Sequence, residues 1–353
     1  MGYEMNSSAM SEVIHADIMD ALSRMPDARF DAVIVDAPYG LSITKNDAGA
    51  RHWDASSIAF SQPLWSEIRR VSKRGAIAAA FGHPRTAHRQ TVAIEDSGWR
   101  IIDTLAWVKA HGFQAGNRDL ERELARIGRP DLSEGFGGWG THLKPAYEPI
   151  TLARNLDLRE SIVKVLADTG AGGLNLAATA IPSGPENLAR TAGRVSDRAA
   201  WAIRGRADPT VPRREGRTPG NVLLEHDDEC SDDICVDRCP VAAIDAQARS
   251  KYAAGRELPS RGFTRLRYSG RAPESERPFL EGVVAPTVKP QNVLRWLCEL
   301  MVRPGMIVLD PFGGSGAIAE AVLRADANCV SVERDAGYVA LIHQRLHRLD
   351  AEG

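Results

Sequence analysis

Residues 306–316, MIVLDPFGGSG, decide the fold of this chain. The apolar run over residues 306–310 ends in an acid and predicts a buried parallel strand. A glycine-rich turn follows, and then an alanine-rich segment predicts a helix over residues 315–324. This combination favours a nucleotide-type ligand, because the glycines let the ligand approach free backbone N–H groups at the start of a helix. Residues 328–333 predict the next strand, whose last residue, Glu333, is suited to accept hydrogen bonds from ribose hydroxyls.

The same alternation of strands and helices appears near both ends of the chain, which predicts a doubly wound α/β fold. The further predicted strands span residues 30–36, 75–81, 99–108 and 147–152, and the further predicted helices span residues 57–71, 84–97, 290–302 and 335–349. Pro149 lies inside the last of those strands. It predicts an edge position or a break there, because proline cannot donate a hydrogen bond to the sheet.

Composition limits the classes of protein to consider. The chain has 353 residues, of which 43% are hydrophobic and 25% charged, as in ordinary globular proteins. The formal net charge of -2 excludes a uniformly basic surface, so contacts with nucleic acid would need a local basic patch. No apolar run approaches the roughly 18 residues of a membrane span, and residues 1–11 are too polar for a signal peptide. Five cysteines, an odd number, argue against a secreted disulfide framework, so a cytoplasmic location is expected.

A second motif, Asp36-Ala37-Pro38-Tyr39, closes the first predicted strand. It resembles the catalytic DPPY motif of amino-group DNA methyltransferases, with Ala37 in place of the first proline. DPFGGSG, in turn, resembles the DPFxGSG motif with which the same family binds S-adenosylmethionine. The catalytic motif precedes the cofactor motif, which is the circularly permuted order of the beta class of this family.

The resemblance implies a Rossmann-like class I S-adenosylmethionine-dependent methyltransferase sheet, circularly permuted. It divides the chain into a catalytic half (residues 1–165), an inserted target-recognition region (166–280) and a cofactor-binding half (281–353). The turn from Gly314 to Gly316 would hold the methionine moiety, and Phe312 would pack on the cofactor. The full set of residues assigned to the cofactor is Asp17, Thr287, Lys289, Asp310, Phe312, Gly314, Ser315, Gly316 and Glu333.

Two shorter segments contribute to that set. Residues 285–292, APTVKPQN, resemble the HPTxKP segment that completes the cofactor site in the family, with Ala285 in place of the histidine. Residues 15–22, HADIMDAL, resemble the family's GDxxxxL segment, which would place Asp17 near the adenine of the cofactor. A helix N-cap is an equally good interpretation of Asp17.

The residue types of the tetrapeptide suit methylation of an exocyclic amine. The lone pair of such an amine is delocalised into the base, so the amine is a poor nucleophile. By the resemblance, the Asp36 carboxylate and the Ala37 carbonyl accept its two N–H hydrogens and direct the lone pair at the sulfonium methyl. Pro38 keeps Ala37 extended, and Tyr39 stacks on a base flipped out of double-stranded DNA.

Several alternatives stay open at this point. Adenine N6 is favoured over cytosine N4 because Asp36, and not a serine, begins the tetrapeptide. RNA is a weaker alternative to DNA. A catalytically inactive nucleic-acid-binding protein that retains the fold is a different class, suggested by Ala37, Ala285 and Ala317 where the family has other residues. The oligomeric state, monomer or homodimer, is open, and the stand-alone arrangement resembles solitary methyltransferases of phage type.

The middle of the chain carries a possible structural zinc site. His226, Cys230, Cys235 and Cys239 supply four nitrogen or sulfur ligands within fourteen positions, although their spacing is not a standard finger pattern. Reduced thiols without a metal are the competing interpretation. Arginine-rich stretches over residues 190–217 and 261–271 are candidates for contacts with DNA phosphates.

Overall fold

A computed structural model describes residues 10–41, 56–109, 118–182, 216–227, 229–231, 234–248, 259–267, 276–280, 282–285 and 287–352. The strands are β1 (Ser11–His15), β2 (Phe30–Val35), β3 (Ser72–Phe81), β4 (Arg100–Val108), β5 (Tyr147–Arg154), β6 (Val222–Glu225), β7 (Thr264–Leu266), β8 (Phe279–Leu280), β9 (Val283–Val284), β10 (Ile307–Asp310) and β11 (Asn328–Glu333). The helices are α1 (Ile18–Arg24), α2 (Gln62–Val71), α3 (Ala87–Asp96), α4 (Leu120–Arg126), α5 (Pro130–Ser133), α6 (Ile162–Thr169), α7 (Pro240–Ala248), α8 (Gln291–Met301), α9 (Ala317–Leu323) and α10 (Ala336–Glu352), with 3-10 turns at Ile58–Phe60, Glu134–Phe136 and Pro259–Gly262. Within the described ranges, no helix combines the length and apolar character needed to cross a bilayer.

One sheet organises the described residues, with the strand order β1-β11-β10-β2-β3-β5-β4-β6-β7. Strand β5 runs antiparallel to both of its neighbours, and the other strands are parallel to one another. The seven strands from β1 to β4 form the expected doubly wound sheet. Strands β6 and β7 extend that sheet beyond β4, so part of the region predicted as an insertion, residues 166–280, continues the sheet.

Strand β2 shows why the predicted strands fold as they do. All six of its residues are buried, and successive side chains enter the two opposite cores. Ala32 and Ile34 pack in the core formed by α8 and α9, whereas Val33 and Val35 pack in the core that contains α2. A parallel strand between two helical layers must be apolar where its side chains enter the cores, and the one acid of β2, Asp31, is paired with Lys73.

The prediction that Pro149 marks an edge or a break was wrong, since β5 lies between β3 and β4. Pairing with β3 extends only to Phe81 opposite Ile150, and the Pro149 carbonyl accepts a hydrogen bond from the Gly82 N–H just beyond it. On the other side, the N–H of Ala106, opposite Pro149, donates to Asn221 of the next segment. Pro149 therefore lies at the point where the pairing with β3 ends, and its carbonyl still accepts the last hydrogen bond.

The order in which the strands are added to the sheet changes direction between β10 and β2. These two strands are parallel neighbours, with Val308 opposite Ala32 and Leu309 opposite Val33. From β2 the chain continues to β3 on one side, and from β10 it continues to β11 on the other. Loops that leave adjacent strands in opposite directions open a crevice at the carboxyl end of the sheet, where doubly wound proteins bind ligands.

Candidate active site

The predicted catalytic tetrapeptide follows β2 directly at this edge of the sheet. The Ala37 methyl is buried, so the residue that replaces the family's proline fills the core. The backbone carbonyl of Tyr39 accepts a 2.9 Å hydrogen bond from the Thr86 hydroxyl. The next residue, Gly40, has a φ of +64°, and a Cβ there would lie 2.7 Å from the Phe60 ring. The loop therefore needs glycine at that position.

The Lys289 ammonium group connects the tetrapeptide to the C-terminal half of the chain. It donates to Asp36 Oδ1 at 2.7 Å and to the Tyr39 hydroxyl at 2.8 Å. That hydroxyl in turn donates to Glu148 Oε2 at 3.1 Å, and Lys109 donates to the other oxygen of Glu148. Two carboxylates and two ammonium groups thus balance in charge around one tyrosine.

The network lies largely out of water, with Lys289, Glu148 and Asp36 side chains 11%, 17% and 23% exposed. Burial raises the pKa of Glu148, but the attraction of Lys289 and Lys109 outweighs it and holds that pKa below its ordinary value. Burial lowers the pKa of Lys289, and Asp36 and Glu148 more than reverse this, so its pKa is raised. Burial and the two neighbouring acids raise the pKa of Tyr39 well above its ordinary value. At neutral pH Glu148 and Lys289 are therefore charged and Tyr39 is not.

Aromatic rings surround the Lys289 ammonium group. It lies 5.1 Å from the centroid of the Tyr39 ring and 5.0 Å from that of Phe81, within the range of cation–π attraction. His83 lies beside Tyr39, with ring centroids 6.2 Å apart. Burial lowers the pKa of His83, and the nearby Arg85 lowers it further, so the imidazole is neutral at physiological pH.

The glycine-rich turn after β10 lies at the end of the adjacent strand. Gly314 and Gly316 have φ values of +51° and +77°, which side-chain-bearing residues rarely adopt. A Cβ on Gly313 would lie 2.8 Å from Ile342, whereas a Cβ on Gly314 would meet nothing closer than 3.8 Å. The turn is thus packed against α10 on one side and open on the other.

Two acids border the turn. Asp310 is fully buried, and its pKa is raised to about 8 by burial, with the negative charges of Glu333 and Asp36 adding to the effect. Asp310 ends β10 and Asp36 follows its parallel neighbour β2, so the two loops begin at the same edge of the sheet. Glu333 accepts hydrogen bonds from the N–H groups of Gly314 and Asp335, one on each oxygen, at 2.8 Å each. Each carboxylate oxygen retains a second lone pair, which is compatible with ribose hydroxyls.

Asp17 lies at the same edge of the sheet. It caps α1, with its Oδ1 accepting from the Met19 N–H at 2.9 Å. It also follows β1, where His15 is paired with Glu333, and Ala16 donates to the Glu333 carbonyl. The two interpretations of Asp17 are therefore compatible: a residue that caps the helix also lies near the acid proposed to hold the ribose.

The structure places the remaining predicted site residues as follows. Lys289 faces Asp36 and Tyr39, and its assignment to the cofactor stays a prediction, as does that of the exposed Thr287. The four possible zinc ligands come together, with their ligand atoms all within 4.8 Å of one another. Residues 190–215 of the first arginine-rich stretch lie outside the described residues, as do residues 268–271 of the second.

Glu148 and Lys109 were absent from the sequence-based set. An acid at the second position of the predicted strand over residues 147–152 was the available signal. It is ambiguous, because an acid at the start of a strand is usually solvated. Only the antiparallel pairing of β5, which sets Glu148 opposite Trp107, brings it beside Lys109 and Tyr39.

Comparisons with known proteins agree with this arrangement. The family model N6_N4_Mtase, described as DNA methylase, matches residues 30–344. YubD of Escherichia coli (strain K12) is 24% identical over 152 residues, which is 40% of this chain and 66% of YubD, slightly less than two thirds of its length.

The PvuII DNA methyltransferase (cytosine-N4-specific) has a similar fold, with a TM-score of 0.50, 11% identity and coverage of 96% of this chain and 86% of that chain. The M1.HpyAVI–SAM complex superposes with a TM-score of 0.45 and 14% identity over 96% of this chain and 99% of that chain. Because the family match extends over most of the chain, the protein belongs to the N6/N4 DNA methylase family.

Proposed function

We propose that this chain transfers a methyl group from S-adenosylmethionine to N6 of an adenine flipped out of double-stranded DNA. The observation that supports the proposal is the adjacency of β2 and β10, because Asp36 and the glycine-rich turn follow these neighbouring strands at the same edge of the sheet. Such a transfer needs the amine and the sulfonium carbon held in line, so positioning is the main task of the protein. The cofactor, when bound, supplies the electrophilic methyl group.

The residues of the chain divide the remaining work. Asp36 and the Ala37 carbonyl accept the hydrogens of the target amine, and Tyr39 stacks on the flipped base. Lys289 orients the Asp36 carboxylate through the 2.7 Å contact, and Glu148 fixes the Tyr39 hydroxyl. On the cofactor side, Glu333 accepts from the ribose, and the open face of the turn at Gly314 receives the methionine moiety.

Double-stranded DNA is the proposed partner, and the described part of the second arginine-rich stretch supports it. Arg261, Arg265 and Arg267 line a cleft of about 630 Å³ near the end of the extended sheet. These three arginines outnumber the two acids that line the same cleft, Asp227 and Glu299, so the surface is locally basic in a chain with little net charge. Such a surface is suited to DNA phosphates.

Adenine is proposed over cytosine because an aspartate begins the tetrapeptide, and the family includes enzymes for both amines. The test is to incubate the full chain with S-adenosylmethionine and double-stranded DNA, digest the DNA and identify methylated nucleosides by mass spectrometry. We expect N6-methyldeoxyadenosine. Detection of N4-methyldeoxycytidine would show that cytosine is the target base, and methylation of RNA in preference to DNA would show that RNA is the substrate.

Asp36→Asn distinguishes an enzyme from a binding protein that kept the fold. We expect methyl transfer to fall by about 100-fold or more, since a neutral amide replaces the charged acceptor aimed at the reacting amine, while binding of the cofactor persists. Asp157→Asn, a change at an exposed acid paired with Arg69, is the matched control and should be fully active. A wild-type chain that binds DNA but yields no methylated nucleoside would favour the binding protein.

A further inference from the structure

We propose that His226, Cys230, Cys235 and Cys239 bind one structural zinc ion. Their four ligand atoms lie within 4.8 Å of one another, at the far end of the sheet formed by β6 and β7. Zinc prefers four tetrahedral nitrogen and sulfur ligands, and three thiolates with one imidazole is a common structural set. This inference is independent of the methyl transfer proposed above.

The distances within the cluster match zinc coordination. His226 Nδ1 lies 3.4 Å from the Cys235 sulfur and 3.8 Å from the Cys239 sulfur. Tetrahedral zinc with bonds of about 2.0 Å to nitrogen and about 2.3 Å to sulfur holds its N and S ligands about 3.5 Å apart. A disulfide would instead require two sulfurs about 2.0 Å apart, and all three cysteines are free thiols.

Regular structure positions the first and last ligands. His226 directly follows β6, and its backbone N–H donates to the Leu266 carbonyl of β7 at 3.0 Å. Cys239 is fully buried and directly precedes α7, whose Ala243 N–H donates to the Cys239 carbonyl. A strand end and a helix start thus bring two of the ligands together, with His226 Nδ1 3.8 Å from the Cys239 sulfur.

An ion pair between the half-exposed Arg238 and the buried Asp227 connects the segments that carry the ligands. Arg238 donates to both carboxylate oxygens of Asp227, at 2.9 and 3.1 Å, and the Asp227 side chain is entirely buried. Asp227 follows the first ligand and Arg238 precedes the last, so this contact joins the two halves of the metal loop. Polar partners of this kind are the usual support around a structural metal.

The core around this loop is small. Among the described residues its buried apolar side chains are Leu224, Cys239 and Val241, and the eight other hydrophobic residues that pack against them, including Cys230 and Cys235, are only partly buried. A segment with so little buried area usually depends on a metal or a cross-link for its order. Four protein ligands also complete the zinc sphere, which leaves no position for a substrate and makes the site structural. The ordered loop then forms one wall of the arginine-lined cleft, through Asp227 and Ser231.

The test is elemental analysis of the full chain, purified under reducing conditions and dialysed against metal-free buffer. We expect one zinc per wild-type chain and at least about tenfold less in Cys235→Ser. Cys298→Ala, which removes a buried thiol in α8 far from the cluster in sequence, is the matched control and should retain zinc. His226→Cys should retain the metal, because a fourth thiolate replaces the imidazole, whereas His226→Gln should lose it.

Several results would overturn the site. They are a wild-type chain that takes up no zinc when the ion is supplied, a Cys235→Ser chain with the wild-type zinc content, or a disulfide within the cluster under reducing conditions. If Cys235→Ser does not fold, cobalt(II) in the wild-type chain decides. Intense visible bands with thiolate charge transfer support the tetrahedral site, and a pale octahedral spectrum refutes it. Methyl transfer is not a readout here, so failure of the proposed catalysis leaves this test unaffected.

Discussion

The ammonium group of Lys289 lies 2.7 Å from the carboxylate of Asp36, although 253 positions separate the two residues. The contact joins the loop after β2 to the segment that precedes α8. It therefore connects the two halves of the site, and its contribution to the free energy of unfolding can be measured.

We expect Asp36 and Lys289 to be strongly coupled in stability. Lys289→Met leaves Asp36 partly buried without its cation, which should destabilise the fold by about 2 kcal/mol, below the range for fully buried pairs because water reaches Asp36. Adding Asp36→Asn removes the unpaired charge and should recover much of the loss. Urea unfolding of the two single variants and the double variant gives the coupling energy.

The surface pair Arg69 and Asp157 is the control for that cycle. Asp157 is 71% exposed, and exposed pairs couple by about 0.5 kcal/mol. If the Asp36–Lys289 coupling energy were no larger than that of the surface pair, the buried network would stabilise the fold no more than an exposed ion pair does.

Glu333→Gln should weaken cofactor binding without unfolding the turn. Glutamine retains one acceptor for the Gly314 N–H but loses the charged acceptor proposed for the ribose. We expect the Kd for S-adenosylmethionine to rise by about tenfold or more, as for the loss of a hydrogen bond to a charged group. Isothermal titration calorimetry measures this, with the neighbouring Asp335→Asn as control. An unchanged Kd would remove Glu333 from the site.

Asp17→Ala should cost about 1 kcal/mol of folding stability, because the Met19 N–H loses its cap. Asp17→Asn should be close to wild type, since asparagine caps equally well. Asp20→Ala, a change at an exposed acid in the same first turn, controls for the helix dipole and should cost only a few tenths of a kcal/mol. Equal losses for Asp17→Ala and Asp20→Ala in urea unfolding would contradict the capping role.

Asp310 should make the protein less stable as the pH rises. Its pKa is about 8 in the fold and near 4 in the unfolded chain, so between these values the folded state binds the additional proton. Stability attributable to this group is therefore complete below about pH 4 and is lost as the pH passes through about 8. Asp310→Asn mimics the protonated form and should flatten the dependence.

Thermal unfolding of the cofactor-free protein between pH 5 and pH 9 (an interval of about four units that brackets the pKa) measures this. The difference in stability between Asp310→Asn and wild type should grow with pH, while Asp157→Asn follows the wild type. Parallel curves for wild type and Asp310→Asn would show that Asp310 is ionised throughout.

Local patterns in the sequence were sufficient to predict the glycine-rich turn, the loop after β2 and most of the helices and strands. The strand, turn and helix around residues 306–324 and the loop after β2 depend on neighbours a few positions apart. Burial of β2 on both faces follows from the apolar run over residues 32–35. These features are local, because periodicity, glycine conformations and proline restrictions act within a few residues.

The order of the strands and the contacts across them were decided by the tertiary structure alone. Pairing of β5 between β3 and β4 tolerates Pro149 and brings Glu148 to Tyr39 and Lys109. Lys289 reaches Asp36 only because β2 and β10 are neighbours, and His226 meets the cysteines only because β6 joins the sheet. No local period encodes which distant strands pair, since that choice depends on which arrangement buries both apolar faces at once.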